Sequence, residues 1–161
     1  MQEAKMFLVK NNESTFMFRI DGNCKYNSYG GSLHEHYLDE TIMVKNSYLH
    51  YERSGISLAY GELENIRDNF NKLLADELTD DLKMSFLEPA FRFLLMPKNP
   101  NYKHSDILVD FIISIRETSG AYSNESYSIC FGQDEIERWR DYLDEVLMLY
   151  KVDTAVTDNH K

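Results

Sequence analysis

The tripeptide His34-Glu35-His36 is the group in this chain best suited by type to hold a metal ion. In an extended segment, positions i and i+2 put both imidazoles on one side, and His50 or His104 could complete a zinc-type site. The tripeptide sits in a Gly-rich stretch, however, with no third ligand at a fixed spacing and Cys24 not evidently aimed at it. A solvated loop is the better reading. A second group, Glu135, Glu137, Asp141, Asp144 and Glu145, could supply a proton donor and acceptor. Acid–base catalysis needs displaced pKa values in a concave site. Most of these carboxylates instead fall on the polar side of a helix, with Arg138 and Arg140 in reach. The phosphate-cradling loop, the dinucleotide fingerprint, the Gly-x-Ser-x-Gly elbow and paired Cys-x-x-Cys units do not occur. The expectation is a binding protein, not an enzyme, with no cofactor and no metal.

The elements that carry these residues show an internal repeat. Ala59-Tyr60-Gly61-Glu62-Leu63-Glu64-Asn65-Ile66-Arg67-Asp68-Asn69-Phe70 continues to Leu73-Leu74. Cys130-Phe131-Gly132-Gln133-Asp134-Glu135-Ile136-Glu137-Arg138-Trp139-Arg140-Asp141-Tyr142-Leu143 continues to Val146-Leu147. With Glu62 placed on Glu135, both copies are a β-like run, an aromatic-Gly pair and a helix in one register. The first helix is expected from Glu62 to Leu78, burying Leu63, Ile66, Phe70, Leu73, Leu74 and Leu78. The second should bury Ile136, Trp139, Leu143, Val146, Leu147 and Tyr150.

Between and before the helices, the period shortens to two. Phe16, Phe18 and Ile20 share one strand face, with Met17, Arg19 and Asp21 on the other. Met6 to Val9 can pair with that strand across Asn11-Asn12-Glu13-Ser14. Residues 22–40 read as irregular, Thr41 to Val44 and Tyr48 to Arg53 as strands, and Ser54-Gly55 as a turn. Leu82 to Phe86, then Phe91, Phe93 and Leu95, flank an edge, bulge or corner at Pro89. Ile107, Val109, Phe111, Ile113 and Ile115 make the clearest strand, and Tyr127, Ile129 and Phe131 the last. Strands, helix, strands, helix is the order of an α+β domain: a mostly antiparallel β-sheet with two α-helices on one face, and two related strand–helix halves. Residues 1–150 form that single domain, and 151–161 a flexible C-terminal tail.

Composition narrows the partner. At 161 residues and 43% hydrophobic, the chain can bury a core of ordinary size. Its 27 acidic against 17 basic side chains, a formal charge of −10, repel nucleic-acid phosphate and anionic membrane alike. Cys24 and Cys130 read as buried small hydrophobes in a reducing, cytoplasmic setting. No apolar run reaches the length of a membrane span, and the first 20 residues lack a signal-peptide pattern.

Three surfaces are candidates for contact. Asp76, Glu77, Asp80 and Asp81 lie at the end of the first helix, and Asp141, Asp144 and Glu145 on the second. The third is an open sheet face with Met17, Arg19, Arg92, Leu94, Asp110, Ile112 and Arg116. Arg, Met and aromatic residues are enriched in interfaces, and the loop tyrosines Tyr26, Tyr29 and Tyr37 suit the same use.

Phe86-Leu87-Glu88-Pro89-Ala90-Phe91-Arg92-Phe93 follows a helix ending in Leu-Leu. With the Tyr48-Leu49 strand, the Gly61-Glu62-Leu63-Glu64 helix start and the closing strand-to-helix unit, it resembles the WapI-type immunity proteins of bacterial polymorphic toxin systems. The resemblance covers roughly residues 40–150. It implies a cytoplasmic protein that binds the toxic domain of a secreted or contact-delivered toxin and blocks it. Many such toxins are nucleases with basic clefts, which an acidic partner could occupy. The resemblance brings no binding motif for single residues, so the candidates above rest on charge and pattern. The alternative is a regulatory or adaptor module with another host partner, and a small-molecule enzyme built on His34 and His36 comes third.

Overall fold

The computed structural model describes residues 5–23, 37–86, 91–98, 107–114 and 126–151. Among them the chain runs β1 (Met6–Lys10), β2 (Ser14–Asn23), β3 (Tyr37–Asn46), β4 (His50–Ala59) and α1 (Tyr60–Leu74). It continues through β5 (Leu82–Ser85), β6 (Phe91–Leu95), β7 (Ile107–Ser114) and β8 (Ser126–Gly132) to α2 (Gln133–Leu149). The α+β class and antiparallel pairing hold. The strands expected in one sheet form two, ordered β1-β2-β3-β4 and β5-β6-β7-β8. Each is a meander of neighbours in sequence, followed directly by a helix.

Both helices begin with the same device. Ala59 and Gly132, at the N-cap positions, have no side-chain acceptor, and the glutamate three residues on reaches back instead. The Ala59 N–H donates to Glu62 Oε2 at 2.9 Å and the Gly132 N–H to Glu135 Oε2 at 3.1 Å. The helices pack antiparallel: Tyr60 OH donates to the Leu147 carbonyl, Arg67 to Asp144 at 2.8 Å and Arg140 to Asn71 at 3.3 Å. Placing Glu62 on Glu135 puts Arg67 on Arg140 and Asn71 on Asp144. Each arginine thus reaches the position equivalent to its counterpart's target, the reciprocity of a twofold contact. The two halves are related in space as well as in sequence.

The inner faces of the two sheets and the helix stripes make one core. Trp139 is fully buried, stacked on Phe7 at 4.6 Å between ring centroids, with Phe16, Phe18, Phe70, Phe93, Phe111 and Phe131 within 6 Å. Those rings come from β1, β2, α1, β6, β7 and β8. Phe16 also meets Phe111 directly at 5.3 Å, so the sheets touch each other and the helices close the gap between them. The helices therefore pack on both sheets, a correction to the expectation of one covered face. All eight strands contribute buried apolar side chains to this core, more than two short helices on one face could cover.

Several local expectations change for identifiable reasons. Tyr37 to Glu40, read as irregular, begin β3 and bury Leu38 and Glu40. Ser54-Gly55 is no turn. It is a bulge in β4, where pairing slips between Glu40–Ile56 and Thr41–Ser54 and Gly55 takes φ 72°. α1 stops at Leu74, earlier than Leu78, because Asp76 enters the left-handed region at φ 56°. The Asp76 N–H then bonds the Leu73 carbonyl at 3.2 Å and the Glu77 N–H the Lys72 carbonyl at 2.9 Å, a Schellman closure. A slip between Ile107 and Val109 in β7 leaves Ile107 41% exposed and buries Leu108. Cys130 is exposed, against its reading as a buried hydrophobe.

Candidate protein-binding surface

The open sheet face expected from sequence is two separate surfaces. Met17 and Arg19 belong to the outer face of the first sheet, where Leu8, Met17, Met43 and Glu52 lie in register. Met17 is 8% exposed there and thus unavailable as the contact residue it was expected to be. Arg19 donates to Asp21 at 2.6 Å, and Thr41 Oγ1 donates to Asp21 and is hydrogen-bonded to Ser54 Oγ at 2.9 Å, so this polar patch closes on itself. Arg92, Leu94, Asp110 and Ile112 lie on the outer face of the second sheet. Lys83, Leu94, Asp110 and Cys130 form one row across it, and Ser85, Arg92, Ile112 and Ser128 the next. Arg92 is exposed, while Asp110 is half-buried and accepts from Ser128 Oγ and Cys130 Sγ. Partial burial, then the Asp110 carboxylate, pushes the Cys130 thiol pKa upward, so it is a poor nucleophile. Arg116 lies outside the described residues.

The two acidic groups differ in kind. On α2, Asp144 pairs with Arg67 at 2.8 Å, Asp141 with Arg140 at 2.7 Å and Glu145 with Lys5 at 2.8 Å. Hydrogen bonding to Asp144, ahead of the other causes, raises the Arg67 pKa. These charges are largely spoken for within the chain. Asp76, Glu77, Asp80 and Asp81 are all exposed, and among the described residues none of them has a salt bridge. Thr79 Oγ1 donates to Asp80 at 3.0 Å, a neutral partner that leaves the charge uncompensated. The four follow the C-terminal end of α1, where the helix dipole already disfavours anions. Antiparallel packing puts them at the same end of the helix pair as Asp134 and Glu137, in the first turns of α2.

His34, His36, His104, Tyr26, Tyr29 and the 151–161 tail beyond Lys151 lie outside the described residues. So do Leu87 to Ala90, within the motif that carries the family resemblance; its flanks Phe86, Phe91 and Phe93 are buried. His50 faces Glu52 at 3.9 Å. Among the described residues no three His, Cys, Asp or Glu side chains are grouped to hold a metal ion, and no helix is long and apolar enough to cross a membrane.

Sequence reasoning placed the Asn11-Asn12-Glu13-Ser14 turn but not the side-chain bonds that hold the hairpin tips. Asn46 Oδ1 accepts the Tyr48 and Leu49 N–H groups at 2.8 and 2.7 Å, and Asn11 Oδ1 those of Glu13 and Ser14 at 2.9 and 2.7 Å. Asparagine opening both turns was the readable signal.

No curated protein matches the sequence. Among solved structures, the crystal structure of WHY1 from Arabidopsis thaliana aligns with 91% of this chain and 90% of that one, at 12% identity and a TM-score of 0.49. The family model described as the Immunity protein WapI-like family matches residues 7–151, from β1 past the end of α2. With both strand-and-helix halves inside that match, the chain belongs to the WapI-like immunity protein family.

Proposed function

We propose that this protein binds a cognate toxin domain in the cytoplasm and blocks it by occupying its working cleft, without catalysing a reaction itself. Family membership supports an immunity role. The observation that carries the surface assignment is the contrast between the acidic groups: Asp141, Asp144 and Glu145 are paired internally, while Asp76, Glu77, Asp80 and Asp81 have no cationic partner among the described residues. Four uncompensated carboxylates behind a helix C-terminus cost stability, and a basic partner would offset that cost on binding. Together with the charge of −10, they point to a positively charged cleft, such as that of a nuclease. Arg92 and Asp110 on the second sheet are secondary contacts in this reading.

Stopped-flow mixing with the cognate toxin domain tests it. The double variant Asp80→Lys, Asp81→Lys should associate about tenfold more slowly at low salt, with a flatter dependence on ionic strength. The internally paired Asp144→Asn should change the rate far less. An unchanged rate for the double variant removes this loop as the steering surface. A wild-type protein that neither binds the toxic domain nor protects cells from it removes the immunity reading, and leaves the adaptor module to be sought by co-purification.

A further inference from the structure

Among the described residues the two sheets have four edge strands, β1, β4, β5 and β8. An open edge is a template for another strand, and folded chains blunt it with charge, a bulge, brevity or a cover. Three of these edges are blunted. β1 has five residues, ends in the exposed Lys10 and is tied to α2 through Lys5 and Glu145. β4 carries the bulge at Gly55 together with Glu52 and Arg53. β5 has four residues, one of them the exposed Lys83. β8 differs: it runs seven residues without a charge or a proline. Its backbone ladder among the described residues is with β7 alone.

The core also runs out at this strand. Phe93, Phe111 and Ile129 stand in one row across β6, β7 and β8. The first two are 1% and 0% exposed, while Ile129 and the neighbouring inward side chain, Tyr127, are only half-buried. The residue types of β8 are moreover palindromic about Ile129. Cys130 mirrors Ser128, Phe131 mirrors Tyr127 and Gly132 mirrors Ser126.

We infer that β8 is a dimerisation strand, pairing antiparallel with β8 of a second copy of this chain about a twofold axis at Ile129. A second copy is the occupant because the pattern is its own complement, as an isologous contact requires. Ile129 then lies opposite the partner's Ile129 and Tyr127 opposite the partner's Phe131, on the core side of the sheet, with small residues opposite small on the other. The pairing joins two four-stranded sheets into one of eight and covers Tyr127 and Ile129. A neutral strand lets two chains of formal charge −10 meet with no like-charge pair across the ladder. Asp80 and Asp81 lead into β5, the opposite edge of the sheet, so the acidic loop is not part of this contact. The inference does not depend on the toxin-binding reading.

Sedimentation velocity of the wild-type protein across the micromolar range tests it. The dimer fraction should rise with concentration, and rise further at high salt, which screens the repulsion between two acidic chains. A charge-steered toxin complex responds to salt in the opposite sense. Ile129→Lys sets two lysines directly opposite each other and should weaken dimerisation at least about tenfold. Ile129→Cys, in a chain with Cys24→Ser and Cys130→Ser, should be oxidised by copper phenanthroline to a covalent dimer, since directly opposed strand residues lie within disulfide reach. Cys24→Ser alone should not cross-link, because Cys130 faces the partner's Ser128. In the wild type, amide exchange across β8 should slow as protein concentration rises, a readout that needs no variant to fold. A wild-type chain that stays monomeric at every concentration and salt, a dimer that Ile129→Lys leaves intact, or β8 exchange independent of concentration overturns the inference.

Discussion

The Tyr142 hydroxyl accepts the Ile20 N–H at 2.7 Å, one residue past the end of β1–β2 pairing at Met6 and Arg19. That N–H has run out of strand, and α2 supplies the acceptor. Tyr142→Phe should therefore cost about 1–2 kcal/mol in urea unfolding at neutral pH; no loss would mean water serves the amide equally well. Burial, opposed by this bond and aided by Asp21, holds the Tyr142 pKa well above its ordinary value. Burial raises Tyr51 and Tyr60 too. The folded chain keeps these protons where the unfolded chain has lost them. Stability is thus intact below about pH 10 and falls as pH climbs from there toward the folded-state values. The decline should be shallower in Tyr142→Phe, measured as the urea midpoint against pH. Asp76 presents a different single-residue problem, a side chain at φ 56° where glycine is at ease. Asp76→Gly should raise stability by roughly 0.5–1 kcal/mol, and Asp76→Val should lower it by about as much. Asp76→Asn keeps the tolerance for this backbone while removing the charge, so it isolates the electrostatic part.

Strands in this fold are bent by extra residues on both sides of Glu40. The β2–β3 register slips between Ile20 and Gly22, and the β3–β4 register between Glu40 and Thr41. Bulges sharpen local twist, and here they flank the buried Glu40 and Thr41. A Cβ on Gly55 would meet no atom within 4 Å, so space is free and only the backbone resists. Gly55→Ala should cost roughly 1–2 kcal/mol through the left-handed φ alone, read from thermal or urea melts. Full stability in that variant would show that the bulge can migrate. The helix pair has its own logic. Reciprocal arginine contacts, Arg67 to Asp144 and Arg140 to Asn71, set the antiparallel register on the exposed side of two buried stripes.

Trp139 joins the halves. It is the only tryptophan in the chain, and its ring touches aromatics from both sheets and from α1. Its fluorescence therefore reports on the shared core. We expect urea unfolding followed by that fluorescence to coincide with loss of far-ultraviolet circular dichroism, as for one cooperative domain. Two separated transitions would mean the repeated halves melt independently. Trp139→Ala should cost about 3–5 kcal/mol. For the molecule acting on its proposed partner, the charge-reversal kinetics described above test whether the acidic loop after α1 steers the encounter.

The helices were legible from residue order because their apolar stripe is a local property: Leu63, Ile66, Phe70 and Leu73, then Ile136, Trp139, Leu143, Val146 and Leu147, are all buried. The repeated strand–helix pattern was equally legible, since Glu62 and Glu135 mark the same helix position. Net charge needs no structure at all. What tertiary structure decided is everything that depends on a distant neighbour. Strand pairing is chosen between segments far apart, so two sheets replaced one and Gly55 became a bulge. Whether a carboxylate is free or paired depended on Lys5 and Arg67 arriving from other elements. Exposure is likewise set by what lies across the surface: Met17 was covered, while Cys130 and Tyr48 were left in water. A residue's type limits what it can do, and only the packed chain settles what remains within its reach.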